Sequence, residues 1–219
     1  MKQLGLTPLL VHLDNGWNSG LAVGNIERLP SKLDVDLYTH VVDWEEIKDL
    51  QRAYLAASVC NVEAVTDHAI FALLWHAASK HGIRFILSGS NIATESILPL
   101  AWSFDSRDEY NLRRIHGKFG TLRLKTYPTI SASRFVYSVF AKRIRLLKPL
   151  NYISYRKSDV LKELSEQYGY VPYKRKHGES IFTRFFQECY LPDKFSFDKR
   201  KAHLSSLIVS GQLTRDEAL

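Results

Sequence analysis

Short apolar runs and longer stretches with helical spacing alternate along the first half of the chain. Leu9 to Leu13 is an apolar run closed by Asp14-Asn15-Gly16, which predicts a buried strand followed by a turn. From Ser19 to Leu33, the residues Leu21, Ala22, Ile26 and Leu29 recur on one face of a helix, and Pro30 is expected to end or distort it. Leu37 to Val42 reads as a second strand, rich in β-favouring types. Asp43 is placed to cap a helix beginning near Trp44, with Glu45 and Glu46 in the first turn, where the helix dipole favours negative charge. Thr66 is the next N-cap candidate, with Asp67 just inside. Ala69 to Ser79 is almost wholly apolar, and Gly82 supplies a stop. Ile83, Phe85, Ile86 and Leu87 then predict a third, buried strand that opens into Ser88-Gly89-Ser90-Asn91, with Glu95 one turn later.

Strand–helix–strand–helix–strand order implies right-handed crossovers and a parallel sheet covered by helices on both faces. Beyond about residue 100 the pattern becomes helical and polar. Trp102 to Tyr110 reads as a loop. Helices are predicted over 134–147, over 158–168 with Ser158 as cap and Gly169 as stop, over 179–189 with Leu191-Pro192 as breaker, and over 199–209. Thr214 and Glu217 form a capping box that opens a last one. The expected organisation is an α/β domain over 1–130 and a mainly helical, basic region over 131–219.

Charge sharpens that division. The net formal charge is +7, yet residues 1–110 hold 8 Lys/Arg against 14 Asp/Glu, and residues 111–219 hold 22 against 9. The second half is therefore expected to face something anionic. The two cysteines, Cys60 and Cys189, are far apart and form no C-x-x-C pair. This favours a reducing cytoplasm, two ordinary buried thiols and no dedicated zinc site. No apolar run reaches the ~18 residues of a membrane span, and the N-terminus lacks the pattern of a signal peptide.

Candidate chemistry gathers at the predicted strand ends, where open α/β sheets bind ligands. Asp14, Asn15 and Gly16 follow the first strand, and Gly89, Ser90 and Asn91 follow the third, where backbone N–H groups can approach a phosphate. Glu95 offers a carboxylate for Mg²⁺. Basic clusters in the second half, Arg113/Arg114/His116/Lys118, Lys174 to His177, and Lys199/Arg200/His203, offer grips for a diphosphate. The spacing of His177 and Glu179 permits proton transfer. No G-x-G-x-x-G and no Walker-type loop is present.

Five segments resemble the N-acetyl sugar amidotransferase family: Val11-His-Leu-Asp-Asn-Gly-Trp-Asn-Ser, Thr66-Asp-His-Ala-Ile, Leu87-Ser-Gly-Ser-Asn-Ile-Ala-Thr-Glu-Ser, Lys176-His-Gly-Glu-Ser-Ile-Phe-Thr-Arg-Phe and Asp198-Lys-Arg-Lys-Ala-His-Leu-Ser. That family belongs to the N-type ATP pyrophosphatase superfamily, with NAD synthetase and GMP synthetase. The resemblance implies a sheet of the nucleotide alpha-hydrolase type. It implies ATP and Mg²⁺ as cofactors, a nucleotide-linked N-acetyl sugar as substrate, and ammonia from a separate glutaminase. Adenylation would turn the amide oxygen into a leaving group, and ammonia would then give an acetamidino sugar for lipopolysaccharide O-antigen or related glycans. Asp14, Asn15, Gly16, Thr66, Asp67, Gly89, Ser90 and Asn91 would hold the nucleotide. Glu95 would hold the metal, and His177 and Glu179 would assist catalysis. Arg113, Lys118, Lys176, Arg184, Lys199, Arg200 and His203 would hold the sugar substrate.

The superfamily's Ser-Gly-Gly-x-Asp-Ser loop and a cysteine-rich segment are missing from the sequence. The chain is therefore expected to be a truncated or split form of a longer enzyme. Two other readings stand beside this one. The first is a non-catalytic remnant that only binds. The second is an RNA-modifying relative, ranked below because no arginine–aromatic stacking surface or RNA-module motif is evident.

Overall fold

In the computed structural model, residues 5–102, 105–173 and 178–218 are described. The elements are β1 (Leu10–Asp14), α1 (Gly20–Leu33), β2 (Leu37–Val41), α2 (Trp44–Ala56), α3 (Ala64–Lys80), β3 (Phe85–Leu87), α4 (Ile92–Glu95), α5 (Glu109–Phe119), α6 (Ala132–Phe140), β4 (Arg145–Leu147), α7 (Lys157–Tyr168), α8 (Ile181–Phe185), α9 (Leu191–Phe195), α10 (Lys199–Val209) and α11 (Arg215–Ala218). Strands β1 and β2 form one two-stranded parallel sheet, in register from Leu10↔Leu37 to Asp14↔Val41. Strands β3 and β4 form another. There Arg145 N donates to Arg84 O and Ser88 N to Leu147 O, the slanted pattern of parallel pairing.

The chain divides into two compact units of interleaved segments. The first comprises 1–18, 33–86 and 103–145, and the second 19–32, 87–102 and 146–219. Position 130/131 falls inside the first unit, which continues through β4's first residue, Arg145.

The first unit is built on α3. Its apolar sequence lets Ala72, Trp75 and Ala78 pack with Ile86, Ile130 and Ile144, and Phe71 and Phe135 close over them. The rings of Trp75 and Phe135 meet edge-on at 4.7 Å. Helix α2 buries Ile47, Leu50 and Tyr54 and packs on α5, which buries Leu112 and Ile115. Asp43 caps α2 through the N–H groups of Glu45 and Glu46. Gly82, at φ +68, follows the end of α3 in the left-handed conformation a helix stop requires.

The second unit is held differently. Phe182, Phe186 and Leu191 are buried, α10 buries Ala202 and Ser206, and α10 packs on α4. Ile97 N donates to Ser206 Oγ. Asn25 of α1 is fully engaged: its Nδ2 donates to Val171 O, and its Oδ1 accepts from Val171 N and Arg28 Nη2.

Several elements depart from the sequence pattern. Pro30 lies buried inside α1, and the helix runs on to Leu33, where Asp34 at φ 49 ends it. Helix α3 begins at Ala64, so Thr66 is in its first turn and is not the cap. Ser158 likewise sits inside α7, which starts at Lys157. The helix expected over 134–147 stops at Phe140. Arg143 turns the chain at φ 55, and Arg145–Leu147 becomes the strand beside β3. Leu191-Pro192 does not break the chain's helical course, because a π-helical turn (Phe186–Tyr190) leads into α9 with Pro192 in its first turn. Strand β3 buries only Ile86, while Phe85 is 56% exposed. Cys189 is exposed and Cys60 half-buried, and both are free thiols.

Burial in the first unit has a consequence for pH. His12, His68 and His76 are all held below their ordinary value of 6.5, in each case chiefly because burial disfavours the imidazolium. His68 is the clearest case, wholly buried with Nδ1 bonded to Ser106 O and Nε2 accepting from Ile130 N. A histidine whose folded value is depressed binds its proton more readily when unfolded, so it contributes stability above 6.5 that is lost as pH falls below it. The urea midpoint is therefore expected to drop between pH ~7.5 and pH ~5.5, and an unchanged midpoint would mean that these imidazoles protonate freely in the fold.

Candidate functional site

Four clusters contain most of the residues singled out from the sequence. The first is at the C-terminal end of β1. The Asp14 carboxylate accepts from Gly16 N, and Asn15 Oδ1 accepts from Trp17 N. Asn15 is buried and its Nδ2 donates to Thr66 Oγ1 at 3.4 Å, so the structure brings Asn15 and Thr66 together. Asp67 is exposed on α3. Trp17 packs edge-on against Trp44 at 4.9 Å, and its Nε1 donates to Gln51 Oε1. The sequence reading missed Trp17, Trp44 and Gln51, whose role depends on a contact between β1's turn and α2.

The second cluster lies along α5, where open cavities of about 560 and 370 Å³ run beside the helix. Arg113 and Lys118 line the larger one together with Arg114. Arg113 is also ion-paired with Glu109 at 2.6 Å, and the Lys118 ammonium sits 5.2 Å from the Phe119 ring centroid.

The third cluster follows β3. Ser90 N donates to Ser88 Oγ, Asn91 caps α4 through Thr94 N, and Ile92 N donates to Asn151 Oδ1. A Cβ added at Gly89 would meet nothing within 4 Å. Glu95 is exposed at the end of α4, and its charge, after burial, helps to raise the Tyr155 phenol above its ordinary value.

The fourth cluster is a cavity of about 300 Å³ in the second unit, lined by Arg184, Arg200 and His203 and further by Lys157, Thr183, Gln187, Glu188, Leu204 and Leu207. Three of the expected substrate residues thus share one concave surface. Asp198 caps α10 and holds the Arg200 fork, with Nε and Nη2 at 2.9 and 2.8 Å. The Arg200 guanidinium's hydrogen bond is the main reason that the Asp198 carboxyl lies below its ordinary value. Lys199 does not line this cavity, and its ammonium lies 5.1 Å from the Phe186 ring centroid. Glu179 O accepts from Ser19 N. Lys176 and His177 lie outside the described residues. Lys157, Gln187 and Glu188 were not foreseen. The positions 200, 203, 204 and 207 share a helix face and were a readable signal, whereas the turn carrying 187 and 188 is π-helical and has no such signature.

Among the described residues, no group of three or more His, Cys, Asp or Glu is arranged to hold a metal ion, and no helix is long and apolar enough to cross a membrane. Residues 179–219 match the family model for the C-terminal domain of WbpG-like lipopolysaccharide biosynthesis proteins. No curated protein matches the chain. The matched segment contains α8, the π-helical turn, α9, α10 and α11, and with them most of the wall of the fourth cluster.

Proposed function

We propose that this chain binds the sugar substrate in an ATP-dependent amidotransferase of lipopolysaccharide biosynthesis, one that converts the N-acetyl group of a nucleotide-linked sugar to an acetamidino group. The observation that carries the reading is the coincidence of the basic cavity of Arg184, Arg200 and His203 with the segment similar to WbpG-like C-terminal domains. Ammonia would come from a separate glutaminase. Two free cysteines are in keeping with work in the cytoplasm. We also read the α/β portion as a sheet of the nucleotide alpha-hydrolase type, a reading supported by the parallel β1–β2 pair with polar residues at its C-terminal end.

The cofactor residues fit unequally. A Mg²⁺ ion carried by phosphates needs only one or two protein carboxylates, and the exposed Glu95 can supply one. ATP phosphates need free amides or cations at a strand end. Here the amides of Gly16, Trp17, Ser90, Ile92 and Thr94 are all engaged by nearby side chains. The described residues therefore do not form a full cradle for ATP, and the chemistry assignable to them is binding and orienting the sugar.

The test is incubation of the purified chain, fused to a segment that carries the superfamily's Ser-Gly-Gly-x-Asp-Ser loop, with a nucleotide-linked N-acetyl sugar, ATP, Mg²⁺ and ammonium, followed by mass spectrometry for the product in which NH replaces the amide oxygen. Glu95→Ala should reduce that product on the order of 10²-fold or more. No product from the wild type would overturn the amidotransferase reading, and full turnover by the variant would remove Glu95 from the metal site.

A further inference from the structure

The fourth cluster carries more than a general affinity for anions. Lys157 enters from the start of α7, Arg184 from the end of α8, and Gln187 and Glu188 from the π-helical turn, while Leu204 and Leu207 present the apolar side of α10. Arg200 is not free to fork onto a ligand, since Asp198 already holds it bidentately. Lys157 and Arg184 both line the cavity, and neither forms an ion pair among the described residues. The π-helical turn is a second sign of use. Such turns hold an extra residue per turn at a cost in stability and occur frequently at functional sites, and this one places Gln187 and Glu188 on the cavity wall.

The lining thus has three parts. Cations are positioned for a phosphoryl group, an amide and a carboxylate for hydroxyls or an N–H, and two leucines for an apolar face. A pyranose with an N-acyl substituent and a phosphate presents that same set. Size adds a limit. At about 300 Å³ the cavity is at the lower edge of the roughly 300–1,000 Å³ range of pockets that enclose drug-sized ligands. It suits one monosaccharide with its phosphate, and a whole nucleotide-linked sugar would extend beyond it.

Resting on the substrate class proposed above, we propose that this cavity encloses the glycosyl-phosphate end of an N-acyl sugar and leaves the nucleoside outside. Arg184 and Lys157 hold the phosphate that bridges to the nucleotide. Leu204 and Leu207 lie against the carbon face of the ring or the acyl methyl. Gln187 and Glu188 select the hydroxyl and amide pattern.

Calorimetric titration of the full chain tests this, with N-acetylglucosamine 1-phosphate, inorganic phosphate, N-acetylglucosamine, uridine diphosphate and uridine-diphosphate N-acetylglucosamine as probes. The glycosyl phosphate is expected to bind about tenfold or more tighter than either inorganic phosphate or the free sugar, and adding the nucleoside should improve it by less than about tenfold. Arg184→Gln and Lys157→Gln should each weaken the glycosyl phosphate by about tenfold, the worth of one charge-assisted contact. Leu204→Trp, which fills the cavity, should abolish the preference for the glycosyl phosphate over inorganic phosphate. Melting temperatures should be unchanged for Arg184→Gln, whose side chain is exposed.

Uridine diphosphate binding as tightly as the glycosyl phosphate, or affinity for the latter that is indifferent to Arg184→Gln and Leu204→Trp, would overturn the assignment. So would the absence of any binding by the glycosyl phosphate. The two proposals fail separately. Binding without amidine product overturns the reaction and leaves the cavity, whereas amidine formation at wild-type KM by Arg184→Gln and Leu204→Trp overturns the cavity and leaves the reaction.

Discussion

Asp49→Ala is expected to lower the unfolding free energy by roughly 3–5 kcal/mol, the range for removing one partner of a buried charged network. Asp49 is buried, three residues after Glu46 on the same side of α2. Its carboxylate accepts from Thr121 N, Thr121 Oγ1 at 2.6 Å, Leu122 N and His116 Nε2 at 2.9 Å. Burial alone would raise its pKa, but the Thr121 hydroxyl, the two amides and His116 together hold it well below the usual carboxylate range. Further along, the Glu46 carboxylate accepts from Lys125 N, Thr126 N, Thr126 Oγ1 and Tyr127 N. The irregular stretch from 121 to 127 has no ladder of its own, so these carboxylates satisfy amides that burial would otherwise leave unpaired.

Urea unfolding followed by circular dichroism measures the loss. Asp49→Asn keeps one acceptor oxygen and the shape, so it should fall between wild type and Asp49→Ala. A loss below about 1 kcal/mol for the alanine variant would mean that water replaces the carboxylate at these amides. The sign with pH follows from the depressed value. Asp49's contribution is complete above the unfolded value of 3.8 and is lost only as pH falls below it. That window lies under the one set by the buried histidines, so acid unfolding should show two successive declines. Gly120 belongs to the same arrangement. A Cβ there would collide with the His116 ring, so Gly120→Ala and Asp49→Ala should be far from additive.

These carboxylates also mark where the sequence became unreadable. Glu46 was legible only as a first-turn acid favoured by the helix dipole, and Asp49 carried no signal, because their partners are 67 to 81 positions away. What local chemistry decides was read well. Asp43 caps α2, Gly82 follows the stop of α3, and Thr214 and Glu217 exchange the bonds of a capping box. What pairing decides was read badly. Residues 145–147 carry a helical pattern, yet they complete a ladder with β3, and the turn at Arg143 that frees them has no glycine to announce it. Pro192 signals a break only if the preceding turn is α-helical, and it is π-helical. In the site, Arg200 and His203 shared a visible helix face, while Arg184 entered through a resemblance and Lys157 through tertiary packing alone.

Gly16→Ala is expected to destabilise the first unit by about 2–4 kcal/mol, from the sum of a left-handed backbone penalty and overpacking. Gly16 sits at φ +79, and a Cβ there would lie 2.7 Å from Trp44 Cε3. Relieving that contact requires Trp44 to move. Trp44 is in edge contact with Trp17, whose indole N–H is tied to Gln51 and whose amide is tied to Asn15, so displacement spreads to the Asn15–Thr66 bond. The fluorescence of the two tryptophans should therefore change along with the melting temperature. Gly82→Ala separates the two causes, because Gly82 has a similar φ of +68 with nothing within 4 Å of an added Cβ. It should show only the backbone penalty of roughly 1–2 kcal/mol and no fluorescence change. If the two variants proved equally destabilised, the indole of Trp44 would have to yield freely, and the turn after β1 would be held by its Asx bonds rather than by its packing on α2.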